Sequence, residues 1–399
     1  MSEPRTSAAN FARRNSARFI EELMEFVSIP SISTDPGKKP EMDQAAKWVA
    51  DQLRGLGMSK VKIYPTEGHP VVYGELSANG KDLPTVLVYG HYDVQPAEPL
   101  ELWDSRAFEP EIRGDSLYGR GTADMKGQVM ACLKAIESII HTGEPPVNIK
   151  ILVEGEEEIG SPNLAGFIKD NKELLKCDFA LNPDSGMIAA DFPTITYALR
   201  GLAYFELRVY GPSHDLHSGS YGGVVHNPAQ VLAELIAGMH DDKGRVTLPG
   251  FYSKVRPLDE EERAELARLP TDEKFFLENT GVPSLWGEEG YTPSERVGAR
   301  PTLEVNGMLS GFTGEGSKTV LPAWAMAKIS TRLVPDQDPA EVHKQLEEYL
   351  RIHTPKTVRV ELDNLVGGSA VISDRNSFGV KALQKAMQTV WGSPPFFRR

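Results

Sequence analysis

The sequence predicts an α/β chain: a layered domain with a largely parallel sheet, followed by a separate α+β block. Three observations carry that prediction. Short apolar strand candidates alternate with amphipathic helices through the first half, and the texture turns antiparallel near residue 197. A strand, helix, strand and helix then run toward the end of the chain. At 399 residues, 40% apolar and 25% charged, the composition is that of an ordinary globular protein with room for more than one domain.

Taken in order, Phe19, Ile20, Leu23, Phe26 and Val27 make one apolar helical stripe, which IPSIS ends at Pro30. PEMDQAAKWVADQLRGLGM, from Pro40, is a second helix with Gly57 as its stop. KVKIY, PVVYGEL and TVLVYG read as strands, MKGQVMACLKAIESII as a helix, and NIKILVEG and FALNPD as further strands. Beyond 197, TYALRGLAYFELRVYG is an antiparallel strand, and NPAQVLAELIAGMHDDKG is a helix capped by Asn227 with Pro228 at its first position. Residues 244–300, rich in charge and proline, read as an insertion with a short helix at LDEEERAELARL. The strand AWAMAKISTRLVP, a helix capped by Asp338 and stopped before Pro355, the strand TVRVEL and the helix SDRNSFGVKALQKAMQTVWG follow, before SPPFFRR.

Composition also narrows function. A net charge of -13 disfavours nucleic acid or an anionic membrane as partner, and no run approaches the ~18 apolar residues of a bilayer span. The N-terminal MSEPRTSAANFARRN is basic but lacks the apolar stretch of a signal peptide. Cys132 and Cys177 sit in apolar segments outside any CxxC pattern, as small core residues of a reducing compartment do. The expectation is a cytoplasmic protein.

In open α/β sheets ligands gather where strands end at their carboxyl edge. Polar clusters fall at that position here: His91 and Asp93 after TVLVYG, Asp124 after LYGRGTA, Glu156, Glu157 and Glu158 after NIKILVEG, and Asp184 after FALNP. Singly, each has an ordinary reading: a core histidine, a helix N-cap, a solvated loop, a turn aspartate. Together they are harder to dismiss, because neighbouring parallel strands would bring their ends within roughly 5–10 Å. Clustered carboxylates beside one imidazole repel unless they take up protons or hold cations, and this donor set suits Zn²⁺ or Mn²⁺. His91 and Asp93, two apart on extended chain, point to one side. Asp124, at a helix start, has the place and dipole for a bridging carboxylate. Glu157 and Glu158 would diverge if extended, giving one ligand and one free base able to take a water's proton and return it to a leaving amine.

HYDVQP, GRGTADMKGQ, EGEEEIGS and NPDSG resemble, in register, the four metal-site motifs of the M20 family of metallopeptidases. The likeness runs from about residue 18 to the end and is similar in wording to the carnosinase-like dipeptidases, especially at HYDVQP and DLHSGSYGG. The resemblance implies a catalytic domain with a mixed, largely parallel sheet flanked by helices, over residues 1–197 and 369–399, and an inserted α+β lid and dimerisation domain over 198–368. It implies two divalent cations, Zn²⁺ first, with Mn²⁺ or Co²⁺ as alternatives. His91 and Asp184 would hold one ion, Glu158 the other, and Asp124 both, with a cis peptide to Met125. Glu157 would be the general base and Asp93 would orient His91. His217 of DLHSG would steady the oxyanion from a partner subunit, and Arg332 of ISTRLVP would clamp the substrate carboxylate.

The activity so implied is hydrolysis of the amide bond of dipeptides, or similar small substrates with a free carboxylate, by a homodimer. The same machinery serves N-acyl amino-acid deacylases and desuccinylases, and a metal- or peptide-binding dimer without turnover is the rival from another class. Two departures stand out. The histidines end at His353, so the family's last ligand is missing and the chain reads as C-terminally incomplete, with an exposed sheet edge. Leu365 and Val366, in place of a histidine, precede Gly367-Gly368, which argues against carnosine itself. GFTGEGSKT, from Gly311, nearly matches a phosphate loop, but Ser317 interrupts it; no GxSxG elbow is present.

Overall fold

The computed structural model describes residues 3–399, which divide by their contacts into two compact units on either side of Gly186 and Met187. The first unit begins with helices α1 (Glu3–Arg14), α2 (Ser16–Val27) and α3 (Lys39–Gly55). The apolar stripe read from the sequence ends on fully buried Phe26 and Val27, with Phe26 stacked on Trp48 at 4.3 Å. Helix α3 buries Met42, Ala45, Ala46, Val49, Ala50 and Leu53, one face of a 3.6-residue period, and the chain turns out of it at Gly57, whose φ of 73° suits glycine.

Strands β1 (Ser59–Tyr64), β2 (Val71–Leu76) and β3 (Thr85–His91) follow, then the hairpin β4 (Glu111–Arg113) and β5 (Ser116–Tyr118). Helix α4 (Lys126–Ile140), strand β6 (Asn148–Glu154), helices α5 (Leu164–Asp170) and α6 (Lys172–Leu175) and strand β7 (Phe179–Leu181) complete the unit. The sheet runs β1-β2-β6-β3-β7, parallel at β6–β3 and β3–β7 and antiparallel at β1–β2 and β2–β6, so β2 alone is reversed. The mixed, largely parallel sheet is the one expected. Both faces are covered. Ile149, Ile151 and Val153 meet α3 and α4, while Leu152 packs with Phe167 and Leu175 from α5 and α6. That two-sided burial is why NIKILVE reads as a nearly unbroken apolar run. The carboxyl ends of β6, β3 and β7 share one edge, with His91 opposite Glu154.

The second unit opens with β8 (Thr194–Thr196), β9 (Ala198–Leu199) and β10 (Gly201–Tyr210), then β11 (Leu216–His217), α7 (Ser218–Tyr221) and α8 (Pro228–Ala237). The segment read as an insertion carries α9 (Glu260–Leu266), α10 (Glu273–Thr280) and α11 (Pro293–Ala299). After it come β12 (Thr302–Ser310), β13 (Val320–Leu321), β14 (Trp324–Leu333), α12 (Pro339–His353), β15 (Arg359–Gly368), β16 (Val371–Ile372), α13 (Phe378–Trp391) and β17 (Phe396–Arg398). The four-stranded sheet β12-β14-β10-β15 is wholly antiparallel. Its inner face packs Phe205, Leu207, Val209 and Ile329 against α8 and α12. The helix caps are those read from the sequence: Asn227 Oδ1 accepts from Ala229 N–H and Asp338 Oδ1 from Ala340 N–H, both at 2.9 Å. Strand β12 escaped the sequence reading, and the stretch from Gly311 links it to β13 with no helix following.

The last thirty residues pack within this second unit. Strand β17 pairs in parallel with β8, β16 pairs with β9, and Phe397 joins a small core of Ile195, Tyr197 and Ala198 against the face of α13 that carries Val380, Leu383 and Met387.

Candidate metal centre

Strand β3 ends on His91, which is fully buried, and the next residues leave the sheet in an extended course. That course is fixed by backbone pairing on both sides. Tyr92 N–H donates to Glu154 O at 2.8 Å and Val94 N–H to Ser31 O at 2.9 Å, while Ser31 Oγ donates to Tyr92 O at 2.6 Å. The IPSIS segment, read from the sequence only as a helix stop, is therefore one wall holding the histidine segment in place. Tyr92 Oη donates to Pro70 O at 2.7 Å, and a Cβ added to Gly155 would lie 2.3 Å from that hydroxyl, so only glycine fits beneath the ring.

The imidazole is oriented through Nδ1, which lies 3.0 Å from Asp93 O and 3.3 Å from Asp93 Oδ1. With its proton on Nδ1, the ring turns the Nε2 lone pair outward. There Nε2 meets Asp124 Oδ1 at 3.1 Å, Asp184 Oδ2 at 3.7 Å and Glu157 Oε2 at 3.9 Å. His91, Asp124 and Asp184 each offer a ligand atom within 4.8 Å of the others. A nitrogen and two carboxylates so gathered fit a divalent cation by donor chemistry and by spacing.

Each carboxylate arrives by its own route. Asp124 follows β5 and stands before α4, joined to Met125 by the cis peptide expected of it. It does not cap the helix: the N-cap residue is Met125, and no side chain caps the first turn, so the ordinary reading of Asp124 fails. Asp184 lies beyond β7 in a turn where its N–H donates to Asn182 Oδ1 at 3.0 Å. Glu157 and Glu158 are not extended, as the sequence suggested, but lie in a single 3₁₀ turn, Glu157–Ile159. Buried Asp93 anchors that turn, accepting the N–H of Glu157 at 3.3 Å and of Glu158 at 3.0 Å. The two glutamates still part company, because Gln95 Nε2 donates to Glu158 Oε2 at 2.8 Å while Glu157 faces the imidazole. Glu156 goes the other way, fully engaged by His69 N–H at 3.0 Å and by Asn163 Nδ2 at 2.8 Å.

The electrostatics follow from this crowding. Burial alone would lower the His91 pKa, but the Asp93 hydrogen bond and the charges of Asp93, Glu157 and Asp184 outweigh it and raise it to about 9. Burial pushes Glu157 up to about 7, against the pull of His91 and with help from the charges of Asp184 and Glu158. Asp184 and Glu158 are likewise raised, chiefly by burial and with the charge of Asp124 adding to it. Carboxylates crowded together and raised by burial are a repulsion that a cation would relieve.

His217 and Arg332 lie in the second unit. His217 closes β11, where its Nδ1 accepts from Gly219 N–H at 3.0 Å and its Nε2 lies 3.3 Å from Thr319 Oγ1. Arg332 stands on β14, opposite Leu202 of β10 and Thr302 of β12. Sequence reasoning missed Ser31, Tyr92, Gln95 and the structural use of Glu156; only the Gly155 beside the glutamate run hinted at a close approach.

The chain is 31% identical to the Cys-Gly metallodipeptidase DUG1 of Candida albicans, over 96% of this chain and 83% of that protein. It is 30% identical to the human Beta-Ala-His dipeptidase, over 94% and 78%. Its fold matches a Sulfolobus solfataricus structure described as an M20 family metallo-carboxypeptidase with a TM-score of 0.84 and 36% identity, over 95% of this chain and 85% of that one. Human carnosine dipeptidase 1 matches with a TM-score of 0.80 and 29% identity, over 100% and 87%. Residues 87–398, from the third strand of the first sheet to the final strand, match the family model, and the chain belongs to peptidase family M20/M25/M40.

Proposed function

We propose that this chain is a metal-dependent dipeptidase, hydrolysing the amide bond of dipeptides or similar small substrates that carry a free carboxylate. The observation that carries the reading is the convergence of His91, Asp124 and Asp184 beside an unspent Glu157. His91 and Asp184 would hold one divalent cation, Glu158 a second, and Asp124 both; Zn²⁺ is the first choice for the donor set, with Mn²⁺ or Co²⁺ as alternatives. Such ions supply Lewis acidity toward a water and toward the scissile carbonyl.

The chain's own residues do the rest. Glu157 takes a proton from the attacking water onto its carboxylate, as the new C–O bond forms. When the C–N bond breaks, Glu157 hands that proton to the departing amine nitrogen. Asp93 keeps the Nδ1 proton of His91 in place and, through the two backbone N–H groups it accepts, sets the turn that presents Glu157. His217 donates to the developing oxyanion, from the partner subunit of a homodimer, and Arg332 holds the substrate carboxylate. Residues 198–368 form the lid inserted in the catalytic domain. Exposed Val305, Met308 and Leu309, on the edge strand β12 of this segment, support a homodimer formed through it. Free Cys132 and Cys177 suit the cytoplasm, and among the described residues no helix is long and apolar enough to cross a membrane.

The test is metal analysis with turnover on one preparation. Two ions per chain, cleavage of a dipeptide panel, loss of activity to a chelator and recovery with Zn²⁺ or Mn²⁺ are expected. Bound metal with no cleavage would leave a binding dimer instead. Faster cleavage of N-acyl amino acids than of any dipeptide would move the substrate class to deacylation.

A further inference from the structure

The second unit contains a cavity of about 450 Å³ beside the outer face of its four-stranded sheet, and four arginines line it. Two are already engaged. Buried Arg300 grips Glu288 through Nε at 2.7 Å and Nη2 at 2.8 Å, and Arg296 Nε donates to Glu288 O at 2.9 Å. Arg200 and Arg332 are not: among the described residues no side-chain hydrogen bond or ion pair ends on either. They face the same space. Arg332 opposes Leu202 across β14 and β10, and Arg200 lies two residues before Leu202 on extended chain, so the two guanidinium groups share one side of the sheet. Burial, then the charge of Arg332, holds the Arg200 pKa below its ordinary value. Glu304, on the same wall, attracts Arg200 without a hydrogen bond to either arginine, and burial raises its own carboxyl despite that pull.

Partly buried Arg200 and exposed Arg332 repel one another on this wall, a repulsion that an anion between them relieves, and paired guanidinium forks match the oxygens of a carboxylate. A carboxylate fills only a small part of about 450 Å³. Much of the remaining wall is aromatic or aliphatic: His240 and Trp286 meet edge to face at 5.2 Å, Trp286 is 67% exposed, and Val297 stands exposed beside them. An exposed indole forming part of a cavity wall is a ready surface for another apolar group.

We propose that Arg200 joins Arg332 in holding the carboxylate of the substrate's C-terminal residue, and that the His240–Trp286 wall receives that residue's side chain. Peptides ending in an aromatic or branched aliphatic residue are then preferred to those ending in glycine. This rests on the dipeptidase reading and deepens it by naming the substrate class.

The experiment uses the whole metal-loaded chain with Ala-Phe, Ala-Gly and the C-terminal amide of Ala-Phe. R200M is expected to raise KM for Ala-Phe at least tenfold with kcat within twofold, since a grip equal in ground and transition states acts on KM alone. It adds no further loss on the amide, which offers no carboxylate. W286A, at an exposed position that does not threaten folding, is expected to cut the preference for Ala-Phe over Ala-Gly at least fivefold. The proposal is overturned if R200M weakens acid and amide equally, or leaves KM unchanged, or if W286A leaves the Phe-to-Gly ratio intact. Should the wild type cleave no dipeptide, the dipeptidase reading fails by itself. Binding of N-acetylphenylalanine, followed by calorimetry, still decides the cavity: binding lost in R200M upholds it, and equal or absent binding in both proteins sinks it.

Discussion

The two units place their charges in opposite ways. In the first, acids and an imidazole sit at the ends of strands covered on both faces, and Asp93, Glu154 and Glu156 are buried with His91. In the second, the sheet buries one face and leaves polar groups such as Arg208, Arg332 and Glu304 on the other. A two-faced parallel edge concentrates like charges at low solvent access, where a cation is favoured. A one-faced antiparallel sheet spreads its charges in water, and at Arg200 and Arg332, on the wall of a cavity, a pair stays without a hydrogen-bonded acid. The lesson is that chemistry is built where burial meets charge, and the backbone topology decides where that occurs.

The largest expected effect breaks the first region alone. E157Q removes the proton carrier while keeping shape, and kcat should fall by about 10²–10⁴-fold. Metal content by mass spectrometry and the thermal midpoint should hardly change; a kcat within tenfold of wild type would remove Glu157 from its role. D93N comes next, because Asp93 holds both His91 and the Glu157–Glu158 turn. Metal affinity should weaken by about 10–100-fold, as expected for loss of the group behind a ligand histidine. Competition against a fluorescent chelator measures it, and unchanged affinity would show that the turn and the ring hold their places unaided.

A third prediction separates framework from chemistry. Lys126, wholly buried beside the cis-linked Asp124, donates from Nζ to Ile29 O at 2.7 Å and to Phe26 O at 3.0 Å, with the Phe26 ring 4.8 Å away. It ties the start of α4 to the end of α2. K126M strips the ammonium from those carbonyls, leaving each with backbone N–H donors, and should cost about 1–3 kcal/mol of stability in urea unfolding. A smaller loss would mean that α2 and α4 hold together through packing alone.

How much of this could be read from the sequence differs between the regions. Residues 39–91 and 126–154 give their elements away because α3 has a clean helical face and β6 is apolar on both sides. His91, Asp124 and Asp184, which the fold brings together, were legible because each follows a strand or opens a helix, a position that registers in one dimension. The partners that arrange them were not. Ser31 and Gln95 act across more than sixty residues of chain, and nothing in their neighbours marks them. Strand β12 was missed for another reason. It is an edge strand, exposed at Glu304, Val305 and Asn306 and irregular between Val305 and Gly307, so no steady alternation survives in TLEVNGMLS. The extended reading of Glu157 and Glu158 failed because Asp93, sixty-odd residues earlier, caps their turn through two backbone bonds.

The smallest effect sharpens the contrast on pH. On the first unit, Glu137 of α4 is bonded by Arg18 of α2 and by Lys134 Nζ at 2.9 Å, and Lys134 also reaches Glu22 and Gln52. Burial alone would raise the Glu137 pKa, but the hydrogen bonds from Arg18 and Lys134 outweigh it and hold it below the ordinary value. Between the folded and unfolded values the unfolded chain binds more protons, so stability rises with pH there. The contribution is complete above the unfolded pKa of about 4.3 and fades as pH falls through the folded one. E137Q should therefore cost about 1 kcal/mol near neutrality, the scale of a partly solvated ion pair. Its unfolding midpoint should converge with that of wild type as the pH is lowered through the acid range. A gap that stays constant down to the lowest pH at which both proteins fold would mean that the glutamine is penalised for its packing, and that the charges around α4 contribute nothing to holding α2 against it.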